Sequence, residues 1–232
     1  MDYRIISIGT LARHELWAKS PATALPEHAT TTLVRSGEHV ILVDPALPPH
    51  LLLTRLAERS GLGAEDITDI FVTSFHPAHR MGVKAFPNAH WWISEREREA
   101  VGQTLIEKFQ REEGDADLQA LLREDIALLQ RFKNAPDKLA PKVDLFPLYG
   151  WSLGTCGLLL TFPRQTVLIA GDAVATSEHL DQGRVLRGAV DVTGAQESLA
   201  EAVEIADIII PGHDNILLNP MRRERRHVMD LD

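Results

Sequence analysis

The chain has little cysteine and no long apolar run. Cys156 is the single cysteine among 232 residues, so no disulfide can form within the chain, which suits a reducing compartment. No stretch approaches the roughly 20 apolar residues that a membrane-spanning helix needs. The opening residues, MDYRIISIGTL, lack the basic segment and apolar core of a signal peptide. We therefore expect a cytoplasmic protein without a membrane partner.

An excess of positive charge is also lacking. The formal net charge is −9, and a negative protein is repelled by nucleic acid and by anionic membranes. The one basic run, Arg222-Arg223-Glu224-Arg225-Arg226, is typical of a solvated tail or a contact to another protein. We predict no nucleic-acid partner. Apolar residues make up 44% of the chain and charged residues 25%, values that are typical of a globular domain.

Hydrophobic patterning predicts short strands interleaved with helices. Strands are predicted at 3–8, 30–35, 39–43, 67–73, 145–148, 157–162, 167–170 and 207–210, with a tight turn at 36–38. Helices are predicted at 49–60, at 195–205 and within 94–133, where Gly114-Asp115 marks a break. Two similar sets of strands and helices indicate one layered α/β domain over 1–232, with a helical insertion at about 94–133.

Three segments share one pattern, an apolar strand followed by a turn that carries histidine or aspartate. They are FVTSFHPAH (71–79), LIAGD (168–172) and IIIPGH (208–213). Strand ends on one edge of a sandwich can bring such residues together. Imidazole and carboxylate are the usual ligands of zinc, iron or manganese where thiolates are absent. Together the segments favour a metal site.

The order of these motifs resembles the metallo-β-lactamase superfamily. The resemblance runs from about Thr30 to Asp214 and rests on VILVD, VTSFHPAHRMG, GWSLGTCG, AGDA and PGHD in that order. It implies a four-layer αββα sandwich. It also implies a di-metal centre held by a His-x-His-x-Asp-His motif with a downstream histidine, aspartate and histidine. Members hydrolyse lactams, lactones, thioesters or phosphodiesters, and some are iron oxidoreductases.

Several positions of that motif are changed in this chain. The first histidine falls on Ser74, the motif aspartate on Ala78 and the downstream histidine on Trp151. The loss of the motif aspartate also removes a carboxylate that helps to orient the attacking water in hydrolytic relatives. Trp151 would either plug the space of a metal or form a new apolar wall. The site is therefore expected to be degenerate.

Other positions of the motif are retained, and they are His76, His79, Asp172 and His213. One metal position of the family keeps His79, Asp172 and His213, a workable set of three ligands for a single ion. The other keeps only His76 and Asp172, too few to hold zinc tightly. Asp44 matches a position that supports the active-site loops. The resemblance thus implies one transition metal, zinc first, with iron or manganese as alternatives.

The resulting hypothesis is a metal-dependent hydrolase that acts on an ester, thioester or amide-type small molecule. His76 and Asp172 are its candidate catalytic residues, with His76 serving as a ligand or a general base. Ser74 and His179 are candidate supporting polar groups that line the site. A catalytically silent binding protein is the first alternative. A mono-iron oxidoreductase that uses the same two histidines and one aspartate is the second.

Residues outside the motif carry weaker signals. His179 lies in a polar segment after Asp172, which predicts an exposed loop near the mouth of the site. Cys156 is expected to be a buried, inert thiol, and Trp91-Trp92 to serve packing. Ser74 lacks the Gly-x-Ser-x-Gly context of a hydrolytic serine. The segment 14–27, the helical insertion and the segment after Asp172 are expected to select the substrate, and the insertion could also pair two copies into a homo-oligomer.

Overall fold

A computed structural model describes residues 1–17, 26–112, 114–219 and 221 of the chain. Its first sheet has six strands in the order β1-β2-β3-β4-β5-β6. They are β1 (Asp2–Ser7), β2 (Thr31–Ser36), β3 (His39–Val43), β4 (Asp69–Phe71), β5 (His90–Ile93) and β6 (Lys133–Asn134). The second sheet has the order β12-β11-β10-β9-β8-β7. Its strands are β7 (Lys138–Ala140), β8 (Val143–Pro147), β9 (Cys156–Thr161), β10 (Thr166–Gly171), β11 (Ile208–Pro211) and β12 (Leu217–Leu218).

Helices lie outside both sheets. They are α1 (Pro49–Ser60), α2 (Pro77–Arg80), α3 (Glu95–Arg111), α4 (Ala116–Arg131), α5 (Ser177–Asp181) and α6 (Val192–Ile205), with 3₁₀ turns at Ala64–Asp66 and Val83–Ala85. None of the helices within the described ranges is long and apolar enough to cross a membrane.

Three apolar clusters hold the layers together. Between the sheets, Val43 and Phe71 of the first sheet pack with Leu158 and Ile169 of the second. Leucines of α1, α3 and α4 cover the outer face of the first sheet. Leucine and alanine side chains of α6 cover the outer face of the second. Each layer removes its apolar face from water. The four-layer αββα sandwich predicted from the sequence is confirmed.

Strand direction decides which edge of the sandwich carries the polar residues. In the first sheet β3, β4 and β5 run parallel to one another, so the residues after β3 and β4 emerge at one edge. In the second sheet β10 and β11 are also parallel. Asp172 and His213 follow these two strands and therefore emerge side by side.

Local signals account for the elements that match their predictions. The β2–β3 hairpin turns through Gly37, whose φ of 61° suits glycine, and α1 has the predicted bounds. The break between α3 and α4 is confirmed, because the Asp115 side chain caps α4 by accepting a hydrogen bond from Leu118 N at 2.9 Å. The predicted strand 67–73 is shorter, since only Asp69–Phe71 pairs in the sheet. The basic run 222–226 lies outside the described residues.

Candidate metal centre

Three side chains from distant parts of the sequence converge at the polar edge of the sandwich. One ligand-type atom each of His79, Asp172 and His213 lies within 4.8 Å of the others. His79 Nε2 is 2.8 Å from Asp172 Oδ2, and His213 Nε2 is 2.9 Å from Asp172 Oδ1. All three side chains are buried, each with no more than 1% of its surface exposed. We call this group the buried triad.

Glycine residues allow the chain to bring the buried triad together. Gly171 ends β10 with a φ of 54°, and a Cβ there would lie 2.5 Å from Thr73 Oγ1. A Cβ on Gly212 would lie 2.8 Å from Asp172 Oδ1. Distances this short exclude a side chain at either position. Close packing therefore requires glycine at both positions, and Gly171 also adopts the left-handed backbone conformation that favours glycine.

A network of hydrogen bonds fixes the far side of the His79 ring. His79 Nδ1 lies 3.0 Å from Asp44 Oδ2. The same aspartate accepts hydrogen bonds from Thr73 N and Thr73 Oγ1, both at 2.8 Å. Asp44 adopts the left-handed backbone conformation, with a φ of 48°, which aspartate tolerates better than most residues. Asp44 thus holds both the ring of His79 and the backbone at Thr73.

The far side of the His213 ring is fixed by the backbone. His213 Nδ1 lies 3.2 Å from Thr10 O and 3.1 Å from His28 O. Carbonyl oxygens only accept hydrogen bonds, so Nδ1 carries the hydrogen. With Nδ1 occupied in both rings, the Nε2 atoms of His79 and His213 face the Asp172 carboxylate. Either protons or a metal cation must lie between these groups, and the donor set fits a single metal ion.

The charges of the buried triad compensate one another. Burial disfavours a charged His79, but the Asp172 and Asp44 carboxylates outweigh that effect and raise its pKa well above the usual value. Burial would likewise raise the pKa of Asp172. The neighbouring His79 and His213 outweigh it, so the pKa of Asp172 lies far below its usual range.

His76 stands apart from the buried triad. It precedes α2, is exposed, and accepts a hydrogen bond from Ala78 N at Nδ1 over 3.4 Å. Its ring centroid lies 6.3 Å from that of His79 and 5.4 Å from that of Trp151, which meets it edge to face. Partial burial of the ring and the nearby His79 lower the pKa of His76. The structure therefore places His76 beside the triad rather than within it.

Trp151 fills the space next to both histidines of the motif segment. Its ring centroid is 6.4 Å from that of His79, and its indole packs against an apolar cluster formed by Leu11, Ala175 and Leu186. The buried Nε1 has no hydrogen-bond partner in the described part of the chain. The indole thus occupies space beside the triad and also lines a surface groove next to His76. Whether Trp151 plugs a metal position or serves as an apolar wall for a substrate stays a prediction.

The two other changed positions of the motif are buried. Ser74 is fully buried, and its Oγ accepts a hydrogen bond from His76 N at 3.4 Å. Ala78 is 5% exposed, and its carbonyl accepts a hydrogen bond from Ala29 N at 2.9 Å. Ser74 therefore supports the backbone of the motif segment, and Ala78 presents only a methyl group.

The prediction of an exposed loop at His179 is wrong. His179 lies on α5 and is fully buried. Its Nδ1 is 2.9 Å from Thr176 Oγ1, and its Nε2 is 3.5 Å from Glu15 Oε1. It belongs to a second polar cluster in which His14 Nε2 lies 3.2 Å from Glu178 Oε2. Polarity of the segment was misleading, because the residues that bury His179 lie far away in the sequence.

Glu97 is a buried support of the segments around the candidate site, and the sequence did not single it out. Its carboxylate is buried and accepts hydrogen bonds from Phe75 N at 3.0 Å, Gly154 N at 3.0 Å and Ser152 Oγ at 2.6 Å. A Cβ on Gly154 would lie 2.0 Å from Glu97 N, so the loop passes directly over the start of α3. Glu97 ties the start of α3 to the segment before His76 and to the Trp151 loop. In the sequence it is hidden among the charged residues of α3.

Two further expectations concern packing. Cys156 is 2% exposed, and burial raises the pKa of its thiol to about 12. Trp91 is 2% exposed, and Trp92 Nε1 donates a hydrogen bond to Asp69 Oδ1 at 2.8 Å. The thiol is buried as predicted, and the two tryptophans pack within β5.

Comparison with known families places these residues in a wider group. A family model described as the metallo-β-lactamase superfamily matches residues 24–213. Among curated proteins none matches the sequence significantly.

Solved structures share the architecture at low sequence identity. A protein from Thermotoga maritima described as a metallo-β-lactamase is 17% identical with a TM-score of 0.67, over 94% of this chain and 98% of that one. The AiiA protein of B. thuringiensis, with N-decanoyl-L-homoserine at its active site, is 20% identical with a TM-score of 0.62, over 97% and 94%. AidC, a dizinc quorum-quenching lactonase, is 21% identical with a TM-score of 0.61, over 76% and 67%. At these identities the likeness establishes the fold.

Proposed function

Because this chain belongs to the metallo-β-lactamase superfamily, we propose that it holds one transition metal and hydrolyses a small molecule with an ester, thioester or amide bond. The observation that carries the proposal is the convergence of two imidazoles and a carboxylate within 4.8 Å. Both rings offer Nε2 to the same point, because Nδ1 of each is held by an acceptor on its other side. Such outer hydrogen bonds are characteristic of histidines that ligate metals.

The residues present support one ion and not two. His79, Asp172 and His213 form a three-ligand set that leaves coordination positions open for water and substrate. The second position of the family would need Ser74 and Trp151 to act as histidines, and Ala78 carries no carboxylate for the first. A mononuclear site with zinc, or with iron or manganese, is therefore the proposal.

Each neighbouring residue then has a definite task. A metal held here would lower the pKa of a bound water and polarise the substrate carbonyl. In this proposal His76, on the exposed side, is the general base that takes a proton from the attacking water, and Asp172, on the buried side, binds and orients the metal. Asp44 and Thr73 keep His79 in the tautomer that presents Nε2. The Trp151 indole excludes water from the wall beside His76.

One observation favours a second candidate, a catalytically silent binding protein. The triad side chains are at most 1% exposed, and Trp151 lies against His76 where the resemblance implies a ligand. A protonated His79 donating to Asp172 Oδ2 would hold part of this group together without a metal. A mono-iron oxidoreductase, the third hypothesis, uses the same donor set and differs only in the ion it holds.

Metal content measured by inductively coupled plasma mass spectrometry tests the proposal. We expect close to one zinc, iron or manganese per chain in the wild type, and loss of that metal in Asp172→Ala. Asp69→Ala is the matched control, because Asp69 is an equally buried aspartate that contacts His39 and Trp92 instead of the triad. Circular dichroism of each variant establishes that the fold is retained.

The identity of the ion separates the enzyme classes. Zinc would favour hydrolysis, whereas iron with absorption in the visible range would favour oxidoreductase chemistry. Metal far below one per chain, even after incubation with zinc or iron salts, would contradict both and support the silent binding protein.

A further inference from the structure

A groove of about 540 Å³ opens beside His76 and Trp151. It runs between α3 of the insertion and the loops at 151–153 and 187–190. Its volume is in the range of small-molecule sites. A ligand in the groove would contact His76, whose ring centroid is 6.3 Å from that of His79 in the buried triad.

The walls of the groove are largely apolar. The apolar side chains along it include Phe75, Val101, Leu105, Trp151, Leu153 and Val190. Leu153 is 49% exposed and Val190 62% exposed, so part of this surface faces water. Covering it with an apolar ligand would be favourable.

Only some of the charged side chains that line the groove have an oppositely charged partner. Asp125 forms an ion pair with Arg80 at 2.8 Å, and Glu97 is occupied by the backbone of Phe75 and Gly154. Lys108 also lines the groove and has no ion pair in the part of the chain that the structure describes.

Arg187 also lines the groove, and its side chain likewise forms no ion pair among the described residues. The Glu15 carboxylate accepts a hydrogen bond from the backbone N of Arg187 at 3.3 Å. Within a chain of net charge −9, this groove therefore carries three cations against two carboxylates.

We propose that this groove binds an amphipathic small molecule with an apolar chain and an anionic group. The chain would lie along the apolar wall, and the anionic group would face Lys108 and Arg187. The proposal rests on the proposed function, since it makes this molecule the substrate class of the site beside His76. The opposite charges would also attract such a ligand in spite of the negative charge of the whole protein.

Binding of three ten-carbon probes tests the proposal. Decanoate is anionic, decanol is neutral and decyltrimethylammonium is cationic, and isothermal titration calorimetry on the full chain gives the affinity of each. We expect decanoate to bind best, by about fivefold over decanol at low salt, and the advantage to shrink as sodium chloride screens the charges. Quenching of tryptophan fluorescence provides a second measurement, because Trp151 lines the groove.

Charge reversals locate the anionic group. Lys108→Glu and Arg187→Glu should each weaken decanoate binding by about fivefold and leave decanol binding unchanged. Arg111→Glu is the matched control, because Arg111 lies on the same helix but does not line the groove. It should leave both affinities unchanged.

Several results would overturn the inference. They are equal affinity for decanoate and decanol, a preference for the cationic probe, no binding of any probe, or an equal effect of Arg111→Glu. A dimer in light scattering that dissociates on Lys108→Glu would also overturn it, because a second copy would then fill the groove. The outcome for this inference is independent of the outcome for the proposed function. The probes can bind to a protein that holds no metal, and metal can be present in a protein that does not prefer decanoate.

Discussion

Asp44 Oδ2 lies 3.0 Å from His79 Nδ1, on the side of the ring that faces away from Asp172. The same carboxylate receives two hydrogen bonds from Thr73, so a single side chain after β3 orients the residues that follow β4. Only the parallel pairing of β3 with β4 brings these positions together. Asp44 therefore controls which nitrogen of His79 is available to a metal.

Asp44→Asn tests this control. The amide cannot accept from Thr73 and from His79 as the carboxylate does, so the His79 ring loses its fixed tautomer. We expect metal affinity to fall by about 10- to 100-fold, the range found for outer hydrogen-bond partners of ligands. Competition with a chromophoric chelator measures it.

Asp69→Asn provides the control for that measurement. It changes another buried aspartate of the first sheet that accepts hydrogen bonds from Trp92 and Thr68. It should alter stability without altering metal affinity. Equal metal affinity in wild type and Asp44→Asn would show that the Asp44 carboxylate holds the backbone at Thr73 without affecting metal binding.

Glu97→Gln should destabilise the protein by about 2 kcal/mol, the range for hydrogen bonds to a buried charged group. The Gln amide would place N–H groups against Gly154 N or Phe75 N, which are donors themselves. Urea unfolding followed by circular dichroism measures the free energy of unfolding.

Glu99→Gln is the control on the same helix. Glu99 is exposed, so its change should stay within about 0.5 kcal/mol. If the two variants were equally stable, the contacts of Glu97 would not contribute to holding α3 in place.

Local patterns in the sequence predict the parts of the fold whose causes are local. The β2–β3 hairpin follows from alternating apolar residues around Gly37, and α1 follows from leucines at helical spacing before Gly61. The capping aspartate of α4 is likewise visible as Asp115 after Gly114. In each case the deciding interactions lie within a few residues of one another.

Non-local pairing explains the parts that the sequence did not predict. The strand β5 contains only four residues, His90–Ile93, and exists because it pairs in parallel with β4 and β6. The burial of His179 depends on Glu15 and His14, more than 160 positions away. The buried triad itself could be anticipated only through the order of motifs, whereas the contacts of Asp44 and Glu97 required the tertiary structure.

Cys156 should resist thiol reagents in the native protein. Burial raises the pKa of its thiol to about 12, so the reactive thiolate is about one part in ten thousand at pH 8. We expect labelling with a disulfide reagent at pH 8 to be slow in the native state and complete in guanidinium chloride. Because the thiolate fraction rises with pH below the pKa, labelling of a thiol that stays in the native environment should keep accelerating above pH 9.

An introduced surface cysteine calibrates that rate. Gln103 is exposed on α3. The thiol of Gln103→Cys should label rapidly, and its labelling rate should stop rising with pH above the ordinary thiol pKa of about 8.5. If Cys156 reacted as fast as the introduced cysteine, its strand would have to open readily in solution.

Trp151→His should enlarge the metal site. The imidazole would join His76 and Asp172 as a third ligand for a second ion, and three protein ligands are enough for a catalytic zinc. The Trp151 ring already lies 5.4 Å from that of His76, so the new ring would start close to its partner. We expect metal content to rise from about one to about two per chain after loading with zinc. Trp151→Phe, which also leaves space but offers no ligand, should keep the wild-type value. If Trp151→His kept it as well, the serine at position 74 in place of the first motif histidine would be the decisive change, because His76 and Asp172 would then need two further histidines rather than one.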